Sequence, residues 1–121
     1  RDNQHYRRVL FTAKHSQLVL MNLKPGEEIG EEVHGMDQFI RFEEGEGTVV
    51  LDGEKHAVSD GFAVVIPAGT RHNVVNSGKT AALKLYSLYS PPEHKDGIIH
   101  KTKQEADADH DHHFDGRTSM K

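Results

Sequence analysis

The amino-acid sequence predicts an all-β domain, a sandwich or a barrel, and three observations carry this prediction. Candidate strands recur about every 8–12 residues between residues 9 and 89, with a turn signal between most of them. Eleven glycines and an aromatic content of 7% are typical of a turn-rich β protein rather than of a helix bundle. The length of 121 residues is sufficient for one hydrophobic core, so we expect a single domain.

The individual strands follow from short apolar or alternating runs and from the turns that bound them. Asp52-Gly53 is among the strongest hairpin signals, and Pro91-Pro92 ends the β region. On this basis we predict eight strands, at residues 9–12, 17–23, 39–42, 48–51, 55–58, 62–66, 72–75 and 81–89.

The chain beyond the β region is polar. Residues 103–110 have some helical propensity but no apolar face. Five acidic and two basic side chains lie in residues 105–121, together with three histidines. We therefore predict a β domain with its flanking segments at 1–104 and a flexible, acidic, His-rich tail at 105–121.

Charge and composition exclude several classes of protein. The net charge of −4 argues against a nucleic-acid partner, which would require a basic surface. No stretch approaches the roughly 20 apolar residues that span a bilayer, so no membrane partner is expected. Without cysteine there is no disulfide, no thiolate metal site and no cysteine nucleophile, and we expect a reducing, cytoplasmic location.

Ten histidines are an unusually high number for this length, and histidine is the commonest metal ligand. Glu32 and His34 alternate along a candidate strand and so share a face, which Gln38 can rejoin across a short connection. His72 follows a proline-glycine turn and opens another strand. Two imidazoles and two side-chain oxygens suit a divalent ion such as Zn, Mn, Fe, Ni or Co. The alternative is that all four are ordinary polar strand residues.

The same residues lie in two stretches of fixed spacing. The first is Gly26-x5-Glu32-x-His34-x3-Gln38-x6-Gly45. The second is Gly61-x5-Pro67-x-Gly69-x2-His72-x3-Asn76. These stretches resemble the two signature motifs of the cupin superfamily, G-x5-H-x-H-x3-E-x6-G and G-x5-P-x-G-x2-H-x3-N.

The first motif departs from the family pattern at two ligand positions. Glu32 stands where the family has its first histidine, and Gln38 stands where it has glutamate. The two changes compensate in charge, because one carboxylate is lost and one is gained. The preserved ligand charge favours a retained metal.

The resemblance covers roughly residues 9–90 and implies a cupin-type double-stranded β-helix, that is, a small jelly-roll barrel. It implies one divalent metal ion inside the barrel, with Glu32, His34, Gln38 and His72 as the ligands. Glu32 has two alternative roles, as a ligand or as a free catalytic base beside the ion.

The resemblance also implies a function. Small cupins of this appearance are often labelled mannose-6-phosphate isomerase-like, so we expect a metal-dependent isomerase acting on a small polar metabolite, a sugar or a uronate. The sequence has no phosphate loop and no basic cluster near the motifs, which disfavours a phosphorylated substrate. Two alternatives remain, an iron-dependent dioxygenase and a non-catalytic module that binds a small ligand.

Alternation along the strand that follows the first motif predicts which side chains face inward. Gln38, Ile40 and Phe42 would line the interior, and Phe39 would lie outside. Because many cupins dimerise through their sheets, an outward Phe39 is consistent with a homodimer.

The remaining histidines have weaker claims to function. We expect surface positions for five of them, His5, His15, His56, His94 and His100. Three more lie in the tail, His110, His112 and His113. Such a cluster can bind metals opportunistically, but a flexible tail would first have to be ordered, so we predict no functional site there.

Overall fold

The computed structural model describes residues 3–109 and 113–119. Within these residues the chain forms ten strands and one short helix. The strands are β1 (Arg7–Thr12), β2 (Gln17–Leu23), β3 (Glu32–Val33), β4 (Asp37–Glu44), β5 (Glu46–Leu51), β6 (Glu54–Ser59), β7 (Ala63–Ile66), β8 (Arg71–Val75), β9 (Leu83–Ser90) and β10 (Ile99–His100), and the helix is α1 (Lys103–Ala108).

All eight strands predicted from the sequence are present, as β1, β2 and β4–β9, with bounds that differ by a few residues. The hairpin predicted at Asp52-Gly53 joins β5 to β6, and both residues have the positive φ that such a turn requires, 48° and 83°. The candidate strand at Glu32 and His34 is present as β3, which has only two residues and ends before His34. Strand β10, also of two residues, was not predicted.

The strands form two antiparallel sheets. The larger sheet has the order β10-β1-β2-β9-β4-β7, and the smaller one has the order β3-β8-β5-β6. This arrangement confirms the all-β jelly roll predicted from the sequence.

The core lies between the sheets and is built from the inward side chains of alternating strand residues. Ile40 and Phe42 of β4 are completely buried, and Ile66 of β7 is nearly so. Since fully burying one such side chain contributes about 1.5–3 kcal/mol, these positions stabilise the barrel strongly. They confirm the inward and outward assignment made for β4, in which Phe39 is only half-buried.

The described part of residues 105–121 contacts the barrel. Helix α1 begins after Thr102, whose side chain caps the Glu105 N–H, and it buries Ala106. Near the end of the chain, the Ser119 N–H donates to the Thr12 carbonyl at 2.8 Å. The division of the chain after residue 104 and the flexibility of the tail stay predictions. His110 and His112 lie outside the described residues.

Two histidines expected at the surface are buried. His94 and His100 are each only 3% exposed, so the expectation was wrong for both. They lie in the segment after Pro91-Pro92, which packs against the barrel. The local sequence has no pattern that predicts this packing. In the described ranges, no helix is long and apolar enough to cross a membrane.

Candidate metal centre

Three of the four ligand candidates lie together at one edge of the barrel. Strand β3 pairs with β8 so that Glu32 lies directly opposite His72. His34 follows immediately after β3, and its ring centroid is 4.9 Å from that of His72. One potential ligand atom from each of the three residues lies within 4.8 Å of the others. This grouping is the one that alternation along the strand and the motif spacing predicted.

His72 is held in the orientation that a metal ligand needs. It is 4% exposed, and its Nδ1 lies 3.0 Å from the Thr70 carbonyl oxygen. A carbonyl can only accept, so Nδ1 carries the proton and donates it. Nε2 is therefore the unprotonated nitrogen, and its lone pair can bind an ion.

Glu32 and His34 make a close polar contact. The Glu32 Oε2 and His34 Nε2 atoms are 3.4 Å apart, with side chains that are 41% and 12% exposed. Burial by itself raises the pKa of Glu32, but the hydrogen bond and charge of His34 outweigh it and hold that pKa below the ordinary value. Burial lowers the pKa of His34, but Glu32 outweighs that effect and the pKa is raised. Glu32 is therefore a stable anion at neutral pH.

Gln38, the fourth candidate, lies on β4 of the opposite sheet. Its side chain is 3% exposed, and its Nε2 donates to the Ser87 hydroxyl at 3.1 Å. The buried Gln38 Oε1 has no hydrogen-bond partner among the residues that the structure describes. An unpaired buried carbonyl is costly, and a cation would satisfy it. Ligation by Gln38 stays a prediction.

The residues present fit a divalent ion. Two ligand atoms bound tetrahedrally at about 2.1 Å from one ion are about 3.4 Å apart, which is the separation of Glu32 Oε2 and His34 Nε2. The buried His34 Nδ1, like the Gln38 oxygen, finds no partner in the described ranges. Two imidazoles and one carboxylate form a donor set used for Zn and for non-haem Fe.

Aromatic and polar side chains that were not predicted surround this centre. The Tyr89 ring lies 6.0 Å from His34 in an edge-to-face arrangement, and it also contacts the ring of His94. Burial raises the pKa of Tyr89 above its ordinary value, so the phenol stays neutral. The buried Ser87 hydroxyl accepts from Gln38. Ser87 and Tyr89 alternate along β9 and so share a face. The sequence does not show which face of β9 points inward, so neither residue could be assigned to the interior.

Arg7 is the second interior residue that sequence reasoning missed. It lies on β1, is 7% exposed, and is adjacent to the exposed Arg8. An Arg-Arg pair at the start of a strand gives no signal for which member faces inward. The pairing of β1 with β2 and β10 determines that Arg7, and not Arg8, faces inward.

Comparisons with known proteins point to one family. A family model described as "Cupin domain" matches residues 19–89. The uncharacterized protein YrkC of Bacillus subtilis is 47% identical over 118 residues, which is 92% of this chain and 63% of that protein. The uncharacterized protein L612 of Acanthamoeba polyphaga mimivirus is 49% identical over 102 residues, 80% of this chain and 63% of that protein. The chain thus spans less than two thirds of the length of these relatives.

A solved structure gives the same result for the fold. The crystal structure of BH2720 from Bacillus halodurans superposes with a TM-score of 0.86 at 45% identity. The match covers 89% of this chain and 86% of that one. The similarity therefore extends over nearly all of both chains.

Proposed function

The chain belongs to the cupin family, and from that premise we propose that it is a metal-dependent enzyme acting on a small polar metabolite. The observation that carries this proposal is the grouping of Glu32, His34 and His72, whose potential ligand atoms lie within 4.8 Å of one another. A divalent ion bound there would polarise a carbonyl or hydroxyl group of the substrate.

The surrounding residues support binding and proton transfer at this point. Ionised Glu32 can donate an electron pair to a bound ion or accept a proton from the substrate. Neutral Tyr89 is a hydrogen-bond donor, since burial keeps its proton in place. Gln38 offers an unpaired oxygen, and Ile40 and Ile66 exclude water on the adjoining wall.

Within this class we propose an isomerase acting on an unphosphorylated sugar or uronate. Isomerisation requires a polarised oxygen and one group that moves a proton, and Glu32 or a water beside it is suited to that step. The sequence has no phosphate loop, which favours an unphosphorylated substrate. The absence of cysteine supports a reducing, cytoplasmic location, which is part of the same proposal.

A specific observation also favours a second function, an iron-dependent dioxygenase. Glu32, His34 and His72 together are two histidines and one carboxylate, the donor set of non-haem Fe(II) oxygenases. In this alternative Glu32 serves as a ligand only and moves no proton.

Metal reconstitution separates these functions. Chelator-treated protein is loaded with Zn, Mn or Fe(II) and incubated with hexoses and hexuronates, while isomer ratios are followed by NMR and oxygen by electrode. We expect isomer conversion without oxygen uptake in the Zn or Mn form. Oxygen uptake in the Fe(II) form alone would replace the isomerase by the dioxygenase.

Two variants keep this experiment interpretable. His72→Ala should abolish turnover, whereas His56→Ala should not, because His56 lies exposed on β6 beside Glu54. Saturable substrate binding without turnover in every metal form would instead identify a non-catalytic binding module.

We further propose that the protein is a homodimer formed through the outer face of the larger sheet. A continuous row of apolar side chains crosses five strands there, through the neighbouring pairs of Phe11, Leu18, Leu88, Phe39 and Val65. Phe11, Leu88 and Val65 are exposed. A row this long is more than the scattered apolar residues of an ordinary surface.

Charge introduced in the middle of this row tests the dimer. We expect Leu88→Arg to be monomeric by sedimentation equilibrium at a concentration at which the wild type is dimeric, because it would bury two unpaired cations at the interface. The matched control is Val33→Arg, which changes an exposed apolar residue of the smaller sheet and should stay dimeric. A monomeric wild type would contradict the proposal.

A further inference from the structure

We propose that the guanidinium of Arg7 binds a carboxylate group of the substrate, so that the metabolite is a small organic acid. This inference deepens the proposed function and rests on it, because the bound acid is a substrate only if the protein is an enzyme. The anion site itself is a property of Arg7 and its neighbours, and it can be tested without any metal.

Arg7 lies on the inner face of the larger sheet. Its cross-strand neighbour is Met21, which pairs with Leu85, which in turn pairs with Phe42. These three side chains are all part of the buried core. Because residues directly opposite each other on paired strands share a face, the Arg7 side chain also enters the barrel.

The guanidinium is buried without a counterion. One terminal nitrogen, Nη1, lies 3.0 Å from His100 Nδ1, and the plane lies over the Tyr6 ring at 5.4 Å from its centroid. Among the described residues, no carboxylate lies within 4 Å of it, and the buried Nε has no hydrogen-bond partner. A buried cation costs several kcal/mol unless an anion accompanies it, so the site is complete only with a ligand.

His100 and Asp109 position this group. A guanidinium has donors only, so His100 Nδ1 accepts from Arg7 and the imidazole proton lies on Nε2. His100 Nε2 then donates to Asp109 Oδ2 at 2.9 Å. Asp109 caps helix α1, so the segment after β10 fixes one edge of the guanidinium.

Arg7 and the candidate metal centre face the same interior of the barrel. Through the pairing of β1, β2, β9 and β4, Arg7 is level with Phe42 on the inner face of the larger sheet. Gln38 lies on the same inner face of β4 and is buried. A ligand held by Arg7 therefore occupies the interior that Gln38 also lines.

The chemistry of the site favours a carboxylate over a phosphate. A single guanidinium fork matches the two oxygens and the one negative charge of a carboxylate. A phosphate carries nearly two charges at neutral pH, and within the described ranges the guanidinium contacts His100 and Tyr6 but no second guanidinium or ammonium group. Uronates and other hydroxy or keto acids have the required group, whereas neutral sugars lack it.

The test follows the Arg7 Nε–H resonance in ¹H–¹⁵N spectra of the full chain, metal-free and Zn-loaded. Sodium acetate is the probe, with acetamide as its neutral isostere and inorganic phosphate as the competing anion. We expect a saturable downfield shift with acetate and none with acetamide. Binding of acetate should weaken by about tenfold or more in Arg7→Met, the loss typical of a removed charge-assisted hydrogen bond.

The matched control is Arg8→Met, which removes the same charge from the outer face of the same strand and should bind acetate like the wild type. Arg7→Lys should bind less tightly than the wild type because it keeps the charge but loses the fork. The proposal is overturned if Arg7→Met binds acetate as the wild type does, or if phosphate binds more tightly than acetate. If Zn does not bind, the proposed metal enzyme is contradicted. Whether Arg7 binds a carboxylate is then decided by the acetate titration of the metal-free protein alone.

Discussion

The His72→Ala variant is expected to lose its divalent ion. His72 is the most buried of the three clustered residues, and the Thr70 carbonyl presets its Nε2 for binding. Loss of an outer partner alone costs about 10–100-fold in affinity, so loss of the ligand should cost more than about a hundredfold. Elemental analysis of untagged protein should show about one ion per wild-type chain, and chelator competition gives the affinity.

The control for this result is His56→Ala, which removes an exposed histidine of the same charge and size. It should retain the ion fully, which separates the candidate site from nonspecific binding by a chain with ten histidines. A stoichiometric ion retained in His72→Ala, or absent from wild-type protein prepared without chelators, would show that the cluster is not a metal site.

Gly45→Ala is expected to destabilise the fold by about 2–5 kcal/mol. Gly45 joins β4 to β5 with φ of 101°, and its N–H donates to Asp60 Oδ1 at 2.8 Å. A Cβ at this position would clash with the Ala82 carbonyl oxygen and press on the backbone of Leu83. Since domains of this kind are stable by only about 5–15 kcal/mol, a loss of this size should shift the urea midpoint markedly with an unchanged m-value.

Gly53→Ala separates the two causes of this loss. Gly53 also has a positive φ, 83°, but an added Cβ there would meet nothing within 4 Å. It should therefore cost only the backbone strain, about 1–2 kcal/mol. If the two variants lose the same free energy of unfolding, contact of a Cβ with the backbone of Ala82 and Leu83 does not explain why the first motif has glycine at position 45.

The strands could be predicted because their signals are local. Asp52-Gly53 and the alternation from Gln38 to Phe42 each lie in a few consecutive residues, and the structure confirms both. The proximity of Glu32, His34 and His72 could be predicted as well, because the motif spacing encodes the pairing of β3 with β8. In these cases a short sequence pattern is sufficient for the prediction.

The buried polar residues outside the motifs could not be predicted, because their burial depends on segments distant in the sequence. His100 is buried by its pairing with Arg7, which is 93 positions away. Arg7 and Arg8 are identical in type, and only the sheet decides which one enters the barrel. His94 likewise depends on Gln17, whose side chain accepts from the His94 N–H and donates to its carbonyl.

Strand β3 has only two residues and lies at the edge of the smaller sheet, yet it supplies Glu32 and leads into His34. Short edge segments open locally at low free energy while the rest of a domain stays folded. Two of the three candidate ligands would therefore separate from the third in a fluctuation that leaves the core intact. An ion held at this place would exchange at the rate at which that edge frays, whereas its affinity would depend on all three ligands together.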